Sequence, residues 1–174
     1  MNQARGLPGA AGGEIRAWHP LEQMLDDPTF LQELAVVIKH SASGVTLSPS
    51  QLQLRTGELR SLIKAAQRGE LTDGTWTPVM RHPDLWELRI RWDDDDTLVR
   101  IYFHEPASAP TQTVAALAHV KLVVPGDPAR TTQIQNAYMQ QAQDRLTSAW
   151  HVSWGLRWSQ PIFPEPQAGL PPQI

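Results

Sequence analysis

Residues 85 to 103, LWELRIRWDDDDTLVRIYF, alternate large apolar and charged positions with a period of two. Such alternation marks strands with one buried face. In the first run Trp86, Leu88, Ile90 and Trp92 share a face, and Glu87, Arg89 and Arg91 share the other. In the second, Val99, Ile101 and Phe103 oppose Arg100, Tyr102 and His104. Both apolar sets reach one core if Asp93 to Asp96 form the loop and Trp92 lies opposite Thr97. Arg89 then faces Arg100, and Glu87 faces Tyr102. A loop one residue longer would pair Arg89 with Ile101 and bury a charge.

Upstream the period is helical. Asp27 and Pro28 have the form of a cap followed by a first-turn proline, and Phe30, Leu31, Leu34 and Ile38 recur at helical spacing until SASG. Ser48, Pro49 and Gln51 have the form of a capping box. Leu52, Leu59, Leu62, Ile63 and Ala66 follow, with Gly57 a point of kinking or division and Gly69 a terminator. EIRAW at 14 to 18 predicts a short first strand, and WTPVM opens the sheet region. TVAALAHVKLVV at 113 to 124 is apolar nearly throughout, as a central strand is, with a short helical segment as the alternative. PGDP ends it. Thr131 or Thr132 is expected to cap a last helix that turns Ile134, Ala137, Tyr138, Gln141, Ala142, Arg145, Leu146 and Trp150 to one side. The plan is α+β: N-terminal helices on a small antiparallel sheet, with a C-terminal covering helix.

At 174 residues the chain is long enough for one domain, and 41% apolar residues are enough for a core. Residues 1 to 13 have the composition of a flexible leader rather than a signal peptide, and no run is long enough to span a membrane. Residues 151 to 174 end in a Pro-rich stretch expected to be a solvated tail. The lack of cysteine excludes disulfides, thiolate metal sites and cysteine nucleophiles, and fits a cytoplasmic protein. A net charge of -3 gives no global pull toward nucleic acid, so RNA binding would rest on a local basic patch.

The hairpin offers such a patch. Opposed arginines repel unless a carboxylate such as Glu87 or a bound phosphate lies between them, and guanidinium suits phosphate through paired hydrogen bonds. The alternative is a charged, solvated sheet face. DDDD has the look of a solvated turn, without the ligand spacing or glycine of a calcium loop. His119 and Lys121 alternate with Ala118, Val120 and Leu122, and can join the face of Arg89 and Arg100 if the strand order allows. No metal-binding, nucleotide-loop, nucleophile-elbow or zinc-deaminase motif occurs, so neither metal nor cofactor is expected.

LWELRI, VRIYF, VAALAHVK and IQNAYMQQAQDRL together resemble the phage-derived, HigB-like branch of the RelE/ParE toxin superfamily. The similarity runs over residues 14 to 150. It implies a RelE/HigB-like fold and a toxin of a type II toxin–antitoxin pair, one that cuts mRNA at the ribosome without metal; relatives with ParE activity poison gyrase instead. It also implies a helix-turn-helix, HigA-like antitoxin as partner. Arg89 falls at the arginine of the family's Leu-x-Glu-Leu-Arg pattern, Arg100 at that of the next strand, and His119 and Lys121 at its histidine and lysine. In that chemistry Arg89, Arg100 and Lys121 hold phosphate, His119 or His104 serves as base, and Tyr102 serves as general acid or stacks on a nucleobase. The chain departs from the pattern in having KLVVPGDPARTT where a lysine-rich segment is usual, and in the insertion HEPASAPTQT. A catalytically inactive toxin-fold accessory protein of phage origin, binding a protein partner, is the alternative.

Overall fold

The computed structural model describes residues 15–21 and 28–164. The expected leader, the Asp27 cap and the last ten residues lie outside them. Elements run β1 (Ala17–Pro20), α1 (Phe30–Lys39), α2 (Pro49–Arg68), β2 (Trp76–Pro78), β3 (Trp86–Trp92), β4 (Thr97–His104), β5 (Gln112–Val120), α3 (Pro128–Ala149) and a short 3-10 helix, Trp150–Gly155. The fold is α+β, built on one sheet in the order β1-β5-β4-β3-β2. That sheet is mixed and not antiparallel throughout, because β1 runs parallel to β5.

The β3–β4 register is the one the apolar pattern requires: Trp92 opposite Thr97, Arg89 opposite Arg100, Glu87 opposite Tyr102. Between β4 and β5 the pairing slips between Tyr102 and Phe103. This irregularity puts consecutive residues Ala116 and Leu117 on one face, after which Ala118 returns to the other. Arg100 then pairs with His119.

Both sheet faces are covered. On one, Trp86, Leu88, Ile90, Ile101 and Phe103 pack with Phe30, Leu34 and Val37 of α1 and Leu59, Ile63 and Ala66 of α2. A large apolar side chain fully buried in this way contributes roughly 1.5–3 kcal/mol. On the other, Tyr102, Val114 and Leu117 meet Ala142, Leu146 and Ala149 of α3, together with Trp154. Ala137 and Trp150, expected against the sheet, are exposed instead.

The helix ends follow local chemistry. Thr29 with Gln32, and Ser48 with Gln51, form complete capping boxes. Gly69 ends α2 in the left-handed conformation. Gly57 does not split α2, which runs through it. The last helix starts earlier than expected: Asp127 caps it through the Arg130 N–H and Pro128 occupies its first turn. Thr131 is already inside the helix, and its hydroxyl accepts from the Val124 N–H.

Two expected solvated segments are tied into the fold. Asp94 and Asp95 pair with the buried Arg55 of α2 at 2.7 and 2.8 Å. Beyond α3, Trp154 and Ile162 are buried, and the Ile162 N–H donates to the Trp18 carbonyl at 2.6 Å. No helix among the described residues is long and apolar enough to cross a membrane.

A candidate phosphate-binding face on the sheet

Three strands lay out the candidate residues as a grid. Arg89, Arg100 and His119 form one cross-strand row. Glu87, Tyr102 and Leu117 form the next row. Lys121 lies just past the end of β5, its N–H donating to the Leu98 carbonyl. Period two puts these rows on the face that α3 covers.

Glu87 is the electrostatic centre. It is almost fully buried and accepts from Arg89 Nε at 2.8 Å, while Arg100 Nε lies 3.2 Å away. The second contact is an ion pair without hydrogen-bond alignment, so Arg100 Nε remains unbonded. Gln135 of α3 donates to the other carboxylate oxygen at 3.1 Å. Counting Arg89, Arg100 and Lys121 against Glu87, three positive charges face one negative. The face keeps an excess of two.

Arg100 is buried, contrary to the expectation of a solvated guanidinium, and its Nη1 donates to the Val99 carbonyl. The side chain of Arg89 remains 41% exposed and is the one guanidinium of this row that solvent reaches. Burial pulls Arg100 down from its ordinary pKa, with Arg89 adding to the effect and Glu87 opposing it. Lys121 is lowered by burial and by the Arg100 charge.

His119 sits between two phenol rings, 5.6 Å from Tyr102 and 3.9 Å from Tyr138 of α3, centroid to centroid. Its Nδ1 lies 2.9 Å from the Val120 carbonyl, which can only accept, so Nδ1 carries the proton. That leaves the buried Nε2 as a lone-pair acceptor with no partner. Burial lowers the imidazole to about 4, and it is neutral at pH 7. Tyr102 is pushed up by burial and by the Glu87 charge, so its hydroxyl stays protonated.

The arrangement combines a neutral imidazole with a free nitrogen, a protonated phenol and three cations. These are groups suited to proton transfer and anion stabilisation. His104, the other candidate base, does not join them. It lies four residues along β4, ~13 Å from Arg100 at strand rise, against Trp154. Gln135 and Tyr138 complete the face; Tyr138 was legible as a helix residue turned to the sheet, whereas Gln135 carried no signal. No group of three or more metal-ligating side chains occurs among the described residues.

No family model, curated protein or solved structure matches the chain.

Proposed function

We propose that the chain is a RelE/HigB-type toxin of a type II toxin–antitoxin pair, an mRNA endoribonuclease that works at the ribosome without metal. The supporting observation is the Arg89–Arg100–His119 row with Lys121 just past the end of β5, which gathers the four positions carried by the resemblance, and with Tyr102 in the adjacent row. In this mechanism the ribose 2'-oxygen attacks the adjacent phosphorus and the bond to the 5'-oxygen breaks. The products are a 2',3'-cyclic phosphate and a 5'-hydroxyl. His119 Nε2 takes the 2'-hydroxyl proton and Tyr102 protonates the departing oxygen. Arg89, Arg100 and Lys121 hold the phosphoryl oxygens. Tyr138 and Gln135 lie over this row, so substrate entry requires the first half of α3 to lift. A helix-turn-helix antitoxin encoded alongside would hold the toxin inactive.

The test is cleavage of mRNA on translating ribosomes with EDTA present, with the ends examined for 2',3'-cyclic phosphate. Arg89→Ala is expected to lower the rate about a hundredfold to a thousandfold while the protein stays folded. Arg100 is buried beside Glu87, so Arg100→Lys is the cleaner variant there: it keeps the charge and removes the fork. Cleavage abolished by EDTA on ribosomes shown to be intact would end the metal-free mechanism.

One observation favours a second function, a toxin-fold protein that only binds a protein partner. Glu87 already engages both arginines, and His119 and Tyr102 are buried beneath α3. A stable complex with the neighbouring gene product, together with no growth inhibition on induced expression, would support binding alone.

A further inference from the structure

At the far end of β4 from Arg100, α3 and the 3-10 helix border a half-open cavity of about 240 Å³. Trp150, Trp154, His104, Asp84 and Gln143 line it. Its walls are aromatic: Trp150 is 69% exposed, Trp154 is buried, and His104 meets the Trp154 ring at 5.2 Å. The backbone that delivers Trp154 has positive φ at two successive non-glycine residues, Ser153 (52°) and Trp154 (54°). Such conformations cost of order 1–3 kcal/mol each and persist where surrounding structure holds them. Here Trp154 Nε1 donates to the Leu146 carbonyl at 3.0 Å, fixing the indole at the cavity wall.

The polar groups of the cavity are predominantly acceptors. His104 Nδ1 lies 2.8 Å from the Asp84 carbonyl and must carry its proton, which leaves Nε2 as an acceptor in the neutral ring. Asp84 adds a carboxylate. Planar aromatic walls call for a flat ring, and two acceptors call for N–H donors on its edge. The volume suits a single heterocycle and lies below the roughly 300–1,000 Å³ of ordinary ligand pockets.

We propose that this cavity is a nucleobase subsite, which stacks an amino-bearing base of guanine type on Trp150 and takes its edge N–H groups on Asp84 and His104. Guanine fits best because its exocyclic amino group and ring N–H lie side by side and can donate together to one carboxylate. Arg100, Tyr102 and His104 follow one another on the same face of β4, so with α3 lifted from Tyr102 a single RNA strand would reach both this subsite and the phosphate-binding face. As an RNA subsite, the inference rests on the ribonuclease function proposed above.

The full-length protein can be titrated with guanosine and cytidine monophosphates and with short single-stranded RNAs that contain or lack guanine, with tryptophan fluorescence as the readout. Guanine-bearing ligands should quench most strongly. Trp150→Ala should weaken binding roughly 5- to 150-fold, the range of one lost base stack. Asp84→Asn should remove the preference for guanine over cytosine while leaving stacking. Both residues are exposed, so neither variant is expected to unfold the chain. Trp150→Ala binding like the parent would overturn the proposal, as would quenching by guanidinium or quaternary ammonium salts but by no nucleotide, which marks a cation site. Trp150-dependent binding of the free nucleotide without RNA cleavage would keep the base site and end the nuclease function. Cleavage with binding untouched by Trp150→Ala would do the reverse.

Discussion

Arg55 shows how one side chain holds three parts of this fold. It is 1% exposed, with Nε and Nη2 donating to Asp94, Nη2 paired with Asp95, and Nη1 donating to the His40 carbonyl. Its guanidinium lies 4.5 Å from the Trp92 ring centroid. The β3–β4 turn, the end of α1 and the middle of α2 all meet on this one group. Burial would by itself raise the Asp95 carboxyl, but hydrogen bonds from Thr97, Arg55 and the Ala42 N–H hold it well below the usual carboxylate range. Arg55→Met strands that carboxylate and is expected to cost about 3–5 kcal/mol in urea denaturation. Adding Asp95→Asn should recover part of the loss, and a double variant no more stable than the single would show that the turn is held by other contacts. None of this was legible locally. Four consecutive aspartates have the look of a water-exposed turn, and their partner stands far away in the chain. Alternation decided Arg89 and Arg100 directly, because moving either by one residue would have put a charge among Leu88, Ile101 and Phe103.

At the scale of elements, α3 determines what the candidate site is. It brings Tyr138 onto His119 and Gln135 onto Glu87, turning a charged strand face into a closed polar layer. Because burial is the largest cause of the low His119 value, Tyr138→Ala should raise that imidazole from about 4 toward its ordinary 6.5, measurable by NMR titration of the ring protons. An unmoved titration would mean that groups other than Tyr138 keep the imidazole buried. The helix was recognisable from its apolar spacing, and Tyr138, Ala142 and Leu146 do face the sheet. Its start was obscured because Asp127-Pro128 ends the preceding breaker and also opens the helix. Trp150 was expected to continue the stripe, but the 3-10 turn beginning there rotates it outward and buries Trp154 in its place. Hydrophobic spacing cannot register a change of helical pitch.

Across the whole molecule, buried histidines link stability to pH. His119 is held neutral, and His19 is also lowered, by burial against a smaller opposing effect of the Ser159 carbonyl. As pH falls below 6.5 the unfolded chain takes up a proton that the folded chain refuses until about 4. Stability is therefore full above 6.5 and drains between 6.5 and about 4, by up to roughly 3 kcal/mol for His119 alone. Denaturation midpoints at pH 7 and pH 4.5 should show the drop, and His119→Gln should flatten it. Asp95 acts in a lower window, below the ordinary carboxylate value of 3.8.

The parallel edge strand carries a consequence for how the chain is made. β1 pairs with β5, and its outer side receives the Ile162 N–H on the Trp18 carbonyl, so an early segment is clasped between two late ones. On a ribosome β1 has no strand partner until β5 has emerged; on its outer side the Arg16 N–H can already reach the Gln67 carbonyl, but the Trp18 carbonyl waits for residue 162. Long-range closures of this kind form slowly. The β1–β5 pairing therefore becomes available only after residue 120 has been added, and the clasp on Trp18 only after residue 162.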